Sequence, residues 1–122
     1  MKTIKILFAS LFALMASQSV NAQSGKETLN SRTKSETFKV YGECGMCKKR
    51  IEKAATTVEG VQSVSWNEDT QMLTLKYDLF KKEAVENVQK KIASVGHDTE
   101  KYKADDAAYA NLPTCCHYQR KQ

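Results

Sequence analysis

Four cysteines are the residues of this chain best equipped for chemistry, and they fall into two close pairs. Cys44 and Cys47 are separated by two residues, whereas Cys115 and Cys116 are adjacent and precede His117. Thiolates are soft ligands that select Cu(I), Hg(II), Zn(II) or Cd(II) over Mg(II) and Ca(II). Two thiolates alone favour the nearly linear coordination of Cu(I) or Hg(II), because zinc normally takes four ligands. The spacing therefore predicts a soft-metal site at Cys44 and Cys47, with Cu(I) as the first candidate ion and Hg(II) or Zn(II) as alternatives.

The residues that follow Cys47 favour its thiolate form. They are strong helix formers, and Gly60 ends the predicted helix. A helix N-terminus carries partial positive charge and free N–H groups, which lower the pKa of a nearby thiol. Lys48, Lys49 and Arg50 add positive charge in the first turn. The same basic run is compatible with a solvated helix face or with docking to an acidic partner.

The sequence allows two other interpretations of Cys44 and Cys47. A C-x-x-C pair at a helix start also serves thiol–disulfide oxidoreductases, although that fold needs a different strand order and normally a supporting proline. A structural disulfide between the two would close so short a loop that it would gain little entropic stabilisation. The sequence shows no Ser/His/Asp set, phosphate-binding loop or paired acids, so we expect that the protein is not an enzyme.

The second cysteine pair belongs to a C-terminal tail that follows Pro113. Geometry disfavours a disulfide between the adjacent residues Cys115 and Cys116. We expect the tail, with His117, either to fold over the Cys44 loop and complete a site with more ligands, or to bind a second ion. A disulfide to another protein and an idle thiol in a disordered tail are the alternatives.

The elements that position the cysteines follow from hydrophobic patterning. Residues alternate between apolar and polar in the predicted strands, and each predicted helix has one apolar stripe. Two such helices covering one face of a four-stranded antiparallel sheet make a ferredoxin-like α+β sandwich of order βαββαβ. Trp66 and Tyr77 are expected to pack in this sheet. The predicted strands are 37–41, 61–66, 72–77 and 99–103, and the predicted helices are 47–59 and 81–95.

The first 22 residues have the parts of a secretory signal peptide. Lys2 and Lys5 precede the apolar run Ile6–Ala16, and the small residues Val20 and Ala22 stand before the predicted cut. A run of about eleven apolar residues is too short to span a bilayer, which needs about twenty. We therefore expect a periplasmic or secreted protein with no membrane span after cleavage.

The net charge of the exported part is ordinary for a soluble domain and does not indicate a nucleic-acid partner. Removing Lys2 and Lys5 from the 19 basic residues leaves 17 against 14 acidic residues, a net charge of +3. Nucleic-acid binding normally needs a strong basic stripe. The expected partners are a metal ion and a metal-transporting or metal-accepting protein, with the chain itself a monomer.

The C-x-x-C loop between the first strand and first helix of a βαββαβ pattern resembles the heavy-metal-associated domain family. That family includes copper chaperones, N-terminal modules of copper-pumping ATPases and periplasmic mercury-binding proteins. The resemblance implies that Cys44 and Cys47 bind the metal and pass it to a partner by ligand exchange. It also implies that His97, in the loop before the last strand, approaches the metal site as an extra ligand or a pH-sensitive lid, the alternative being an exposed loop residue.

One departure from the family pattern concerns the loop itself. The family often has Met two residues before the first Cys, where this chain has Gly42, and Met46 lies between the two cysteines instead. The predicted organisation is a signal peptide at 1–22, a flexible leader at 23–35, a heavy-metal-associated domain at 36–103 and a Cys-Cys-His tail at 104–122. The expected function is sequestration or transfer of a soft metal ion.

Overall fold

A computed structural model describes residues 32–122 of the chain. The predicted signal peptide, 1–22, and most of the predicted leader lie outside the described residues, so both stay predictions. Within the described part, no helix is long and apolar enough to cross a membrane. The elements are β1 (Thr33–Lys39), α1 (Gly45–Thr56), β2 (Val61–Trp66), β3 (Met72–Asp78), α2 (Ala84–Ser94), α3 (Asp106–Ala110) and a 3₁₀ turn (Thr114–Cys116).

The three strands form an antiparallel sheet in the order β1-β3-β2. Leu73 in the central strand pairs with Phe38 on one side and with Trp66 on the other. These three side chains are buried together with Ile51 of α1 and Val88 of α2, in one core cluster. Both helices therefore cover the same apolar face, and the α+β class with two helices on a sheet is confirmed. Trp66 and Tyr77 are both buried, as predicted.

The predicted fourth strand, 99–103, is not a strand in the described structure. It contributes a single isolated bridge between Val40 and Thr99. The chain then turns, because the Thr99 N–H donates to the Tyr102 carbonyl at 2.7 Å and the Tyr102 N–H donates to the Thr99 hydroxyl at 3.0 Å. The Thr99 hydroxyl also donates to the Gln89 amide oxygen at 3.0 Å. The Asp98 carbonyl accepts the Tyr41 N–H at 2.8 Å and the Glu100 N–H donates to the Lys39 carbonyl at 2.9 Å, but the next N–H on that side, that of Tyr102, is bonded inside the turn.

Several predicted boundaries also shift, and α1 covers Gly45–Thr56 rather than 47–59. Strand β1 begins at Thr33 rather than Thr37, because it pairs with β3 along its whole length, so the last residues of the predicted leader belong to the sheet. Helix α2 begins at Ala84 rather than at residue 81. The preceding residues form a turn in which the Asp78 carboxylate accepts from the Phe80 N–H at 2.9 Å.

Candidate metal centre

The loop between β1 and α1 places the first two cysteines at the helix start. Cys44 is the N-cap residue of α1, and its carbonyl accepts the Lys48 N–H at 3.1 Å. Cys47 lies one turn further on and is fully buried, whereas Cys44 is half-buried. Their sulfur atoms are 3.5 Å apart, and all four cysteines of the chain are free thiols. The pair thus converges at the positive end of α1, where a thiolate is favoured.

The indole of Trp66 supports this loop from below. Its Nε1–H donates to the Val40 carbonyl at 2.9 Å. A Cβ at Gly42 would lie 2.9 Å from two atoms of the Trp66 ring and 3.2 Å from Cys47 Cβ. The ring therefore fills the space beneath the loop, and only glycine fits at position 42. Met46, in contrast, is 51% exposed.

The C-terminal tail brings the second pair of cysteines to the first. The Cys44 sulfur lies 3.4 Å from that of Cys116 and 3.6 Å from that of Cys115. These three sulfur atoms all lie within 4.8 Å of one another. The Cys115 sulfur is also 3.5 Å from the thioether sulfur of Met46. The predicted loop and tail ligands thus meet in one place, which we call the sulfur cluster: Cys44, Cys47, Cys115 and Cys116.

The thiols of the sulfur cluster differ in acidity. Burial works to raise the pKa of Cys44, but the Cys47 N–H and the neighbouring thiols donate hydrogen bonds that together lower it to about 7. Burial, followed by donation of its S–H to Cys47 and Cys44, raises the pKa of Cys116 far above its ordinary value. Donation to Cys44 raises the pKa of Cys115. Of Cys44, Cys115 and Cys116, Cys44 is therefore the thiol that ionises most readily.

Arg50 supplies positive charge to the sulfur cluster. Its Nη1 lies 3.5 Å from the sulfur of the fully buried Cys116. The sequence marks Arg50 only as part of a basic run on α1, since its contact depends on where the tail folds. Guanidinium next to sulfur stabilises thiolate, so Arg50 favours the deprotonated cluster that a metal ion requires.

His97 is not part of the sulfur cluster. It is fully buried, not exposed, and its Nδ1 lies 2.8 Å from the Tyr41 carbonyl oxygen, which fixes the proton on Nδ1. Its Nε2 is buried and has no hydrogen-bond partner among the described residues. The ring stacks on Tyr118 with centroids 5.3 Å apart. Burial lowers the pKa of His97, and its proposed influence on the metal stays a prediction.

His117 is also separate from the sulfur cluster. Its side chain is exposed, and its ring packs against that of Tyr109 with centroids 5.1 Å apart. Of the three tail residues predicted as ligands, the structure thus brings the two cysteines to the site and leaves His117 outside it.

Sequence reasoning missed the residues that hold the tail in place, here called the tail anchor: Asp98, Tyr118 and Arg120. Tyr118 is 2% exposed, and its hydroxyl donates to the Gly96 carbonyl and accepts the Asp98 N–H, each at 2.8 Å. The buried Asp98 carboxylate accepts from Arg120 Nη2 at 2.9 Å. The one available indication in the sequence was an aromatic and a basic residue two and four positions after Cys116.

Residues 37–98 match the heavy-metal-associated domain family. The chain is 31% identical to a CopZ metallochaperone, over 54% of this chain and 98% of that one, with a TM-score of 0.50. It is 29% identical to oxidized MerP from Ralstonia metallidurans CH34, over 56% of this chain and 94% of that one, with a TM-score of 0.51.

A third similar structure is the N-terminal domain of a potential copper-translocating P-type ATPase from Bacillus subtilis in its Cu(I)-loaded state. The identity is 28% over 61% of this chain and 92% of that one, with a TM-score of 0.51. No curated protein sequence matches the chain significantly. The family match ends at residue 98, so Cys115 and Cys116 lie beyond it.

Proposed function

Since the chain belongs to the heavy-metal-associated domain family, we propose that it is an exported carrier of a soft metal ion, Cu(I) before Hg(II) or Zn(II). The ion binds to the thiolates of Cys44 and Cys47. The protein sequesters the ion or passes it to a metal-transporting or metal-accepting partner, and it catalyses no reaction.

The observation that carries this proposal is the convergence of two free thiols at one helix start. The sulfur atoms of Cys44 and Cys47 are 3.5 Å apart, and neither forms a disulfide. The pKa of Cys44 is lowered to about 7, so near neutral pH this thiol ionises more readily than an ordinary cysteine. A soft cation therefore meets a ready thiolate with a second sulfur beside it.

Ligand chemistry and the relatives support Cu(I) as the first candidate. Thiolate sulfur suits Cu(I), and the described cluster offers sulfur rather than the mixed nitrogen and oxygen ligands that suit other ions. One similar structure is named a metallochaperone, and another was solved loaded with Cu(I). The MerP structure was solved in its oxidized form and therefore does not bear on the choice of ion.

The proposed transfer step is ligand exchange between thiols. A partner thiolate binds the ion while one sulfur of the pair leaves and takes up a proton, so neither sulfur changes oxidation state. Half-exposed Cys44 is the entry point, because Cys47 is fully buried. The basic side chains of Lys49 and Arg50 near this entry favour a partner with an acidic surface.

A thiol–disulfide oxidoreductase is the second candidate, because a lowered thiol pKa is also what a reactive cysteine needs. Anaerobic titration with Cu(I) against a competing chelator separates the two functions. The proposal predicts tight binding by the wild-type chain, loss of binding at this site in Cys44→Ser/Cys47→Ser, and no catalysed reduction of insulin disulfides. Equal Cu(I) uptake by both proteins would contradict it, and catalysed reduction without metal retention would replace it with the second candidate.

A further inference from the structure

We infer that the C-terminal tail supplies Cys115 and Cys116 as further thiolate ligands to the ion at Cys44, so that the chain encloses a soft cation among at least three sulfurs. The inference rests on the proposed function, because it concerns the same ion. It goes beyond the family pattern, because both tail cysteines lie outside the matched residues 37–98.

The sulfur spacing fits a site of three thiolates, because the sulfurs of Cys44, Cys115 and Cys116 all lie within 4.8 Å of one another. With metal–sulfur bonds of about 2.3 Å, sulfur atoms are separated by about 3.8 Å in tetrahedral, about 4.0 Å in trigonal and about 4.6 Å in linear coordination. Cys44 lies 3.4 Å from Cys116, 3.6 Å from Cys115 and 3.5 Å from Cys47. Small outward movements convert these contacts into trigonal or tetrahedral spacing, whereas a linear site needs a larger separation.

The tail is held over the site by contacts that do not involve the thiols. Tyr118 is buried against His97 and Tyr109, and the Tyr109 hydroxyl donates to the Tyr118 carbonyl at 2.8 Å. The Asp98 carboxylate accepts from Arg120 at 2.9 Å and from the Lys121 N–H at 3.0 Å. The tail anchor therefore presents both cysteines to the loop before any metal binds, which reduces the entropy lost on binding.

A nearby cation partly balances the charge of such a site. Binding of Cu(I) by three thiols releases three protons to solvent and leaves a centre of net charge −2. Arg50 Nη1, 3.5 Å from Cys116, lies beside that charge. A partner thiol can still approach at half-buried Cys44 and exposed Cys115, but it must displace more sulfurs than at a two-thiolate site before the ion leaves. The tail therefore favours retention of the ion over rapid hand-off.

Three proteins test the inference after anaerobic loading with one equivalent of Cu(I). These are the wild-type chain, Cys115→Ser/Cys116→Ser, and the anchor variant Tyr118→Phe/Arg120→Met, which keeps every thiol. X-ray absorption at the copper edge gives the number of sulfur neighbours, and a competing chelator gives the rate of extraction. We expect three or four sulfurs in the wild-type chain and two in the serine variant. Extraction should be at least about tenfold faster from the serine variant, the scale reached when groups supporting a metal site are lost.

The anchor variant separates ligand supply from positioning. It should release Cu(I) faster than the wild-type chain although its four thiols are intact, and circular dichroism checks that it folds. Two sulfur neighbours in the wild-type chain, with an unchanged extraction rate in the serine variant, would overturn the inference and leave the proposed function standing. Two separate two-sulfur sites, one lost with the tail cysteines, would also overturn it. Failure of the wild-type chain to bind Cu(I) at all would instead reject the proposed function.

Discussion

The sulfur of Cys44, at the start of α1, lies 3.4 Å from the sulfur of Cys116, which is 72 residues further along the chain. The first belongs to the matched domain and the second to the tail that follows it. The contact makes the tail one side of the sulfur cluster rather than a free extension. A substitution or modification of a cysteine in the loop should therefore also alter the packing of the tail, and the reverse should hold.

Gly42 should be far less tolerant of a side chain than Gly45. A Cβ at Gly42 would lie 2.9 Å from the Trp66 ring, whereas a Cβ at Gly45 meets only the Glu68 carboxylate at 3.5 Å. Gly42→Ala should lower the free energy of unfolding by about 1–3 kcal/mol through overpacking. Gly45→Ala, at the first residue of α1, should be neutral or mildly stabilising. Urea denaturation of both metal-free variants measures this, and equal effects would show that Trp66 does not confine the loop.

Cys44 should be the first thiol to react in the metal-free protein. Its pKa is lowered to about 7, and it is half-buried, whereas Cys116 is fully buried with a raised pKa. Alkylation by iodoacetamide under reducing conditions should modify Cys44 fastest, with a rate that rises through a midpoint near pH 7. Peptide mass spectrometry assigns the order. Preferential early labelling of Cys116 would be incompatible with the described cluster.

The loop cysteines were predictable because their information is local. The spacing of Cys44 and Cys47, a strand before them and an amphipathic helix after them all lie within about one supersecondary unit. The return of the tail to the loop was one of two expected outcomes, but the sequence could not choose between them, since the position depends on Tyr118 meeting Asp98 and Gly96, residues of a distant loop. No periodic pattern encodes such a contact.

The fourth strand was predicted from its sequence pattern but is not formed in the described structure. Its residues carry a plausible strand pattern, and the Glu100 N–H still donates to the Lys39 carbonyl, but a turn closed by Thr99 and Tyr102 binds the Tyr102 N–H that would continue the pairing. The buried amide of Gln89 stabilises that turn by accepting from Thr99. Side-chain hydrogen bonds of this kind override local strand preference and are invisible to hydrophobic patterning.

The ion pair in the tail anchor should contribute to stability far more than a surface pair does. Asp98 has no exposed side-chain area and Arg120 only 18%, whereas Lys90 and Glu86 are both more than half exposed. Arg120→Met should cost about 3 kcal/mol of unfolding free energy, because it leaves a buried carboxylate without its cation. Lys90→Met, the matched control, should cost at most about 1 kcal/mol. Comparable losses in chemical denaturation would refute a structural role for the tail anchor.

His97 should make the metal-free fold less stable in mild acid. Burial lowers its pKa in the folded chain, with nearby Arg50 acting in the same direction and Asp98 against it. Histidine in an unfolded chain has a pKa of about 6.5, so below that pH the unfolded chain binds more protons than the folded chain. This extra proton binding stabilises the unfolded state relative to the folded state. The unfolding free energy should therefore fall as pH drops below about 6.5. This loss continues until the pH passes the folded pKa.

Two variants isolate that effect. His97→Gln should flatten the pH dependence in this window, whereas His117→Asn should leave it unchanged, because His117 is exposed. Urea denaturation at a series of pH values measures both. If the unfolding free energy of His97→Gln falls with pH as steeply as that of the wild-type chain, the acid sensitivity belongs to another group.

Metal analysis of the protein purified anaerobically from its native cells tests the central claim most directly. The wild-type chain should carry close to one equivalent of a thiophilic ion, copper before mercury or zinc, and Cys44→Ser/Cys47→Ser made in the same cells should carry almost none. A wild-type chain without any such ion, or a variant that retains as much, would contradict soft-metal binding at these two sulfurs.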